Sequence, residues 1–529
     1  MPYIVSSKEM KKADLNTTDY YGVPQLVLME RAALETMKEI SALYPDAFSS
    51  GKRFVIAAGN GNNGGDGAAL ARLMLLAGQN VSLWVSGNEA LYSEALRKQL
   101  EIYNRYKGIC SLYTEQNLSE LRTVLSCADI LIDSLFGIGL SRNIEEPFTQ
   151  LIHMMNEAGG IKVSLDIPSG ISSDTGQIMG AAFRADLTVT YSFRKRGCLL
   201  YPGKEMCGLL KTADIGIPDA AFIDQMPLGY TFSCPDDLHG ILPKRLPAGN
   251  KGTFGKVLLI AGSAGMPGAA ILAAGSALRS GSGMVKVLTE HSVRSLVIGA
   301  FPEVMVDEYD CYDDLEELFL KNEKWADAIV IGPGLGKGKM AVDLLKLALE
   351  KSVSPLLIDA DALNILAEDS SLYRQMIDKA ENGRIIVCTP HMAELAHLLH
   401  VSLAELQQNR FSLLDRFCRQ TGCMMVSKDA ATIVYYSLND KTCRYYINQT
   451  GNSGMATAGS GDVLSGLLGA LLAGLFAQND INRAVFGKTM SAGVYYHGLA
   501  GNYAAEELGE ISMTAGDLIR HFPNAFKQK

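Results

Sequence analysis

The chain lacks an excess of positive charge. Its 48 Lys and Arg stand against 57 Asp and Glu, a formal net charge of −9 with no basic block. The counterion release that drives nucleic-acid binding is therefore not on offer, and no nucleic-acid partner is expected. The first twenty residues, MPYIVSSKEMKKADLNTTDY, lack the apolar core of a signal peptide. The uncharged run from Val463 to Ala477 contains Ser465 and three glycines and is shorter than the roughly 18–20 residues of a spanning helix. It reads as a buried helix, and no membrane is expected. The ten cysteines include no CxxC pair and the eight histidines no HExxH, which argues against zinc and for reduced thiols in a cytoplasmic protein. A Walker A loop is missing too: Gly487-Lys488-Thr489 is the nearest fragment, with Asn482 where the first glycine belongs.

What is present is length and alternation. A chain of 529 residues is too long for one compact core and implies roughly two to four domains. Hydrophobic residues at 48% and charged residues at 20% are ordinary for a globular chain, whereas the 52 glycines are many and clustered. Apolar runs at Arg53–Ala58, Asn80–Ser86, Asp129–Asp133, Ile161–Asp166 and Asp186–Tyr191 alternate with helical patterns such as Ala68–Ala77. That alternation predicts a mainly parallel sheet covered on both faces, with the loops after its strands along one edge. Pro218, Pro227, Pro235, Pro243 and Pro247 interrupt the pattern, and a linker is expected around 222–236. A second series follows at Lys256–Ala261, Met284–Leu288, Ala328–Gly332, Leu356–Ala360, Arg384–Thr389 and Met424–Ser427, with late helices over Gly461–Ala477 and Ile481–Ala500. The fold class is α/β, in two unrelated tandem domains, 1–222 and 237–525.

The first chemical constellation is Gly59-Asn60-Gly61-Asn62-Asn63-Gly64-Gly65-Asp66-Gly67, directly after a strand. Gly59, Gly61 and Gly64 satisfy GxGxxG, by itself a weak signal. Positive φ and missing Cβ atoms at such glycines let backbone amides close on a pyrophosphate at a helix start. Asn62, Asn63 and Asp66 add polar groups that a plain strand–helix turn does not need. Asp133 ends a second strand and leads into Leu135-Phe136-Gly137-Ile138-Gly139-Leu140-Ser141; Asp166 ends a third and leads into Ile167-Pro168-Ser169-Gly170. In a parallel sheet Asn63, Asp133 and Ser169 converge at one edge. Two neutral oxygens and one carboxylate suit a monovalent cation better than zinc or magnesium.

GNGNNGGDG, DSLFGIGL and LDIPSGISSDTG together resemble the NAD(P)H-hydrate epimerase domain, across roughly residues 1–220. The resemblance implies a Rossmann-like three-layer α/β/α fold that binds NAD(P)H hydrated at C6 of the nicotinamide ring and interconverts its R and S forms with a potassium ion. It implies substrate contacts at Asn62, Asn63, Gly64, Gly65 and Asp66, and at Gly137, Ile138, Gly139, Leu140, Ser141, Arg142 and Asn143. Potassium would be held by Asn63, Asp133 and Ser169, and Asp166 would meet the substrate. An acid–base role for Asp166 follows from chemistry, because inverting a C–OH centre through loss and return of hydroxide needs a group to trade the proton.

The second constellation, Gly451-Asn452-Ser453-Gly454-Met455-Ala456-Thr457-Ala458-Gly459-Ser460-Gly461-Asp462, runs into the uncharged helix. Small residues before a helix N-terminus build an anion hole from free amides and the positive end of the dipole. Asp462 can take a proton from a hydroxyl while those amides hold the charge on a transferring phosphoryl group. With KVLLIAGS, GPGLG and TPHxxE, this loop resembles the ribokinase-like ADP/ATP-dependent NAD(P)H-hydrate dehydratase domain, across roughly 237–525. The resemblance implies hydrate contacts at Ala270, Gly334, His391 and Asp462, with the nucleotide at Lys428, Asp429, Ala430, Ala431, Thr432 and Gly461. Two positions depart from the family's pattern: Met392-Ala393 replaces a commoner Pro-Gly, and Asp429 stands where glycine is frequent.

Phosphorylating the C6 hydroxyl turns a poor leaving group into a good one, so the expected products are NAD(P)H, phosphate and the shortened nucleotide. The resemblance implies ADP, rather than ATP, as donor for fused chains; magnesium is expected for phosphoryl transfer. A bifunctional repair enzyme, acting on small molecules and forming a homo-oligomer, is the leading expectation. The alternative is a vitamin or sugar kinase fused to a Rossmann-like nucleotide-binding module, which would share the same phosphoryl-transfer apparatus. A third reading, a nucleotide-sensing protein without catalysis, is disfavoured by Asp66, Asp133, Asp166 and Asp462.

Overall fold

The structure is a computed structural model that describes every residue except Ser50, Gly87, 311–313, 440–441, 480–481 and 528–529. It divides into two compact units, Pro2–Leu228 and Gly229–Lys529. The division falls inside the proline-interrupted stretch. Residues 229–236 go with the second unit, because Gly229–Tyr230 pairs in parallel with the strand Thr442–Ile447.

The first unit is built on a seven-stranded sheet of β1 (Arg53–Ala58), β2 (Asn80–Ser86), β3 (Cys110–Tyr113), β4 (Ile130–Ser134), β5 (Ile161–Leu165), β6 (Leu187–Tyr191) and β7 (Leu209–Ala213). All the pairings are parallel and the order is β3-β2-β1-β4-β5-β6-β7. This is the Rossmann order, with its switch point between β1 and β4. Side-chain alternation divides the core into two layers. Phe54, Ile56 and Ala58 join one cluster with residues of the helices Gln25–Leu43, Asn62–Leu76 and Glu94–Arg105. Val55 and Ala57 join the other with the helices Leu118–Ser126 and Phe148–Glu157. The edge strands β3 and β7 were too short and polar to stand out from the sequence.

The helix expected over Ala68–Ala77 begins six residues earlier, at Asn62. The asparagine–glycine segment is therefore the first two turns of a helix, and not a loop before one. Its glycines do not work as expected either: none from Gly59 to Gly67 has a positive φ. They are small because their surroundings are close. A Cβ at Gly59 would lie 1.9 Å from the Leu135 carbonyl oxygen, at Gly64 1.9 Å from that of Gly59, and at Gly67 2.1 Å from Ser134 Oγ. Glycine here lets the helix and the β4 loop press onto the end of β1.

The second unit carries β8 (Lys256–Ile260), β9 (Met284–Glu290), β10 (Met305–Tyr309), β11 (Ala328–Ile331), β12 (Leu356–Ile358), β13 (Ile386–Cys388), β14 (Met424–Ser427), β15 (Ile433–Asn439) and β16 (Thr442–Ile447), in the order β10-β9-β8-β11-β12-β13-β14-β15-β16. The run from β10 to β14 is parallel, whereas β14, β15 and β16 pair antiparallel. The helix Ser460–Ala477 passes the length and apolarity of a membrane span, yet 72% of it is buried. It packs against the helix Pro267–Arg279 and against β8 and β11 as the centre of the core. The last long helix runs Arg483–Leu508; its expected first residue, Ile481, lies outside the described residues.

The close approach of β1 to the β4 loop generates a stability test. Gly59→Ala should cost about 1–3 kcal/mol, because a backbone carbonyl cannot swing aside. Gly61→Ala, where nothing lies within 4 Å of the added carbon, should be nearly neutral. Thermal unfolding of the two variants measures the difference; equal midpoints would refute the packing role.

Candidate active sites

In the first unit the switch point opens into a cavity of about 480 Å³. The amide of Gly59 donates to the Ser134 carbonyl at 3.0 Å and pins the two loops together. Asn62, Asn63, Asp66, Asp166 and the segment Gly137–Arg142 all line the cavity. Gly64 and Gly65 are instead buried in the helix packing, and Asn143 is exposed. Three further lining residues carry chemistry that sequence reading missed: Asp14, Tyr191 and Lys195. Asp14 lies on a polar helix and Lys195 in the basic run RKR, so nothing local marks either as facing a cavity.

The expected cation ligands lie close together. Asp133 is fully buried; its Oδ1 accepts from Ser169 Oγ at 2.5 Å and its Oδ2 from the Ser169 amide at 2.8 Å and Ser164 Oγ at 3.1 Å. Burial pushes its carboxyl up to about 6, against the pull of those donors. Asn63 packs against Gly137, and both polar atoms of its amide are buried without a hydrogen-bond partner. A buried amide left unpaired is costly and points to a ligand. Asn63 and the buried Asp133 carboxylate both offer hard oxygen donors.

Asp166 has a left-handed backbone at φ +64°, a conformation that aspartate tolerates better than most residues. Its Oδ1 accepts from the Tyr191 amide at 3.1 Å and from the ammonium of Lys195, which is itself fully buried. Asp14 and Asp66 share this environment. Burial and the Asp166 charge raise both carboxyls, Asp66 well above the usual range, with Lys195 acting the other way. The cavity therefore gathers three carboxyl groups and one ammonium, which is bonded to Asp166.

In the second unit the equivalent edge gathers the ends of β8, β11, β12, β13 and β14. Gly262 donates to the Pro333 carbonyl at 2.8 Å, closing the switch point between β8 and β11. The glycines Gly332, Gly334 and Gly336 have φ of +125°, +58° and +74°, so here the left-handed conformation does demand them. Gly334 lies against Met266 and Ala269 at the start of the helix that carries Ala270, whose side chain is fully buried beneath Gly262. His391 caps the helix Met392–Leu398, accepting on Nδ1 from the Glu394 amide at 3.2 Å, while Glu394 accepts from the His391 amide at 2.9 Å.

The helix Ser460–Ala477 starts after Gly459 (φ +91°) with no side-chain cap. The loop before it is held by Asn452, which donates to the Gly501 carbonyl at 2.9 Å, and by Asn502, which accepts from the Gly451 amide at 3.1 Å. A Cβ on Gly461 would stand 3.3 Å from Lys428 Nζ, so the ammonium sits at the mouth of the helix. Lys428 is paired with the buried Asp359 at 2.7 Å, and Asp359 also accepts from Ser465 Oγ at 2.7 Å. Burial first, and then the Asp359 charge, push Asp462 up to about 6, with Lys428 opposing. His497, driven down to about 4 by burial, bonds the Ser460 carbonyl at 3.1 Å as a neutral ring.

Asp359 and Ser465 went unread in the sequence, although LLIDA was recognised as a strand. Of the expected nucleotide segment, Lys428 and Gly461 meet at the helix mouth. Asp429 instead pairs with the buried Arg410 at 2.8 Å, and Ala431 is buried. The departure from glycine at Asp429 thus ties this turn to the helix Leu403–Thr421.

The chain matches two family models, NAD(P)H-hydrate dehydratase over residues 257–524 and YjeF-related protein N-terminus over residues 25–197. A relative from Moorella thermoacetica, named bifunctional NAD(P)H-hydrate repair enzyme Nnr, is 34% identical over 98% of this chain and 96% of its own. The protein of that name from Escherichia coli is 33% identical over 97% of this chain and 91% of its own. Among solved structures, the ADP/ATP-dependent NAD(P)H-hydrate dehydratase of Bacillus subtilis, crystallised with ATP and Mg²⁺, is 26% identical over 56% of this chain and 98% of its own, with a TM-score of 0.46. With a Rossmann-like first domain and a ribokinase-like second one, the chain belongs to the bifunctional NAD(P)H-hydrate repair enzymes.

Proposed function

We propose that the chain restores hydrated nicotinamide nucleotides, the first domain interconverting the R and S hydrates of NAD(P)H and the second dehydrating the S form at the expense of ADP, to give NAD(P)H, AMP and phosphate. The observation that carries the reading is the convergence of Asp462, Lys428 and an uncapped helix N-terminus at one sheet edge. Asp462 takes the C6 hydroxyl proton as the phosphorus–oxygen bond forms. The amides at residues 460–462 and the Lys428 ammonium stabilise the charge on the phosphoryl group in flight. The phosphate then leaves as the ring nitrogen donates its electron pair, and loss of the C5 proton restores the dihydropyridine. Among the described residues no cluster of three His, Cys, Asp or Glu forms a metal cage. Magnesium is held mostly by nucleotide phosphates with one or two carboxylates, and Asp361 and Glu394, beside Asp462, would supply them. When bound, it neutralises phosphate charge.

In the first domain Asn63, Asp133 and Ser169 would hold potassium, whose charge orients the substrate beside Asp166. The partners are small molecules. A cytoplasmic location and self-association belong to the same proposal.

Four measurements test it. Purified protein given mixed R and S hydrates of NADH plus ADP or ATP should restore all the NADH absorbance, beyond the spontaneous epimerisation rate; a stable phosphate ester instead of free phosphate would make it a kinase. Asp462→Asn should lower the dehydratase kcat by roughly 10²–10⁴-fold and leave epimerisation intact. With its carboxyl near 6, Asp462 is an ionised base above that pH and is protonated below it. The dehydratase kcat should therefore fall about tenfold per unit as pH drops through about 6, and a flat profile there would remove Asp462 as the base. Exchanging potassium for choline should depress the epimerase, and Asn63→Ala should abolish that dependence.

A further inference from the structure

We infer that Lys195 is the positioning residue of the epimerase, holding the carboxylate of Asp166 in its working geometry. This rests on the reading of the first domain as a hydrate epimerase. Lys195 follows β6 on the two-residue strand Arg194–Lys195 and is wholly buried. A buried ammonium is tolerated only when it is paired and hydrogen-bonded. Its three N–H bonds go to Asp166 Oδ1, to Thr190 Oγ1 at 3.1 Å and to the Tyr191 carbonyl at 2.9 Å. An ammonium has three donors and no acceptor, so Lys195 has nothing left to offer a ligand and acts through Asp166.

The pairing is one-sided. Among the described residues, the hydrogen bonds to Asp166 fall on Oδ1, from Lys195, the Tyr191 amide and Thr190. Oδ2 is left for whatever enters the cavity that Asp166 lines. Lys195 therefore does two things to one carboxylate: it fixes the rotamer and offsets repulsion from Asp14 and Asp66 across the same cavity.

Inversion at C6 needs a carboxylic acid and a carboxylate at once. The C6–O bond breaks with its electron pair going to oxygen, which takes a proton from the acid and leaves as water, while the ring nitrogen's lone pair forms C6=N. Water then adds to the opposite face and gives a proton to the carboxylate, so the proton count of the pair is unchanged. Asp166, its Oδ1 tied to the Lys195 ammonium, offers Oδ2 as the proton acceptor. Asp66, raised by burial and by the charges of Asp166 and Asp14, supplies the acid.

The test uses the full chain and the R hydrate of NADH. Lys195→Met should lower the epimerisation kcat by about 10²-fold, with KM changed by less than about threefold. Dehydration of the S hydrate by the same preparation, together with thermal unfolding, reports whether the chain is intact. The deciding readout is a cycle with Asp166→Asn. If Lys195 acts through Asp166, the double variant is no slower than Asp166→Asn alone. If the losses multiply, or if Lys195→Met keeps its kcat, the inference fails. Should Lys195→Met not fold, Thr190→Val removes one of the lysine's acceptors with the charge retained, and a kcat loss that again vanishes in the Asp166→Asn background is expected. A wild-type chain that does not interconvert the hydrates would overturn the epimerase reading itself.

Discussion

Each half of the molecule is organised around a lysine paired with a buried aspartate at a strand end: Lys195 with Asp166 after β5, and Lys428 with Asp359 after β12. Removing either charge from water costs several kcal/mol, and only the partner and its surrounding hydrogen bonds repay that cost. Losing one member would leave the other buried and unpaired, so each pair holds its strand ends in one arrangement. Both pairs adjoin backbone in the left-handed region, Asp166 itself at φ +64° and Ala360 at +47° beside Asp359. Such conformations persist where the surroundings over-determine them, and they cluster at functional sites. In the second domain the constraint extends further. Asp359 also accepts from Ser465, on the same helix as Asp462, so Lys428 and the start of that helix are tied to one carboxylate.

The two domains use glycine for different physical reasons. In the first, Gly59, Gly64 and Gly67 have ordinary dihedrals, and what matters is the missing Cβ, which lets the helix begin against the end of β1. In the second, Gly332, Gly334, Gly336 and Gly459 all have positive φ, and they turn the backbone at the strand end and the helix mouth.

Both sites also place carboxyl groups where burial makes them reluctant to ionise. Asp66 and Asp14 in the first domain, and Asp462 and Glu394 in the second, are all raised, with burial the first cause. Groups shifted in this way gather where protons are exchanged. A single ammonium in each site limits the repulsion. His497 stays neutral beside the Ser460 carbonyl, and His391 serves as a helix cap.

Much of this was legible in the chain because its signals are local. Alternating apolar runs specified two α/β domains, and short segments such as GNGNNGGDG and GNSGMATAGSGD marked the helix starts that carry polar groups, Asp462 among them. The edge strands β3, β7 and β10 do not stand out because they are short and partly polar, and the antiparallel strands β15 and β16 because no helix sets them apart in the strand–helix alternation that marks the parallel sheets. The start of the helix at Asn62 escaped because glycine-rich sequence reads as loop. What the sequence by itself determined was which strand ends carry chemistry. Tertiary structure alone decided which lysine neutralises which aspartate, that Asn63 is left without a partner, and that Asp429 belongs to Arg410. The physical reason is that burial and charge pairing depend on residues distant along the chain, Lys195 from Asp14 and Ser465 from Asp359, and no local pattern records who will be their neighbours.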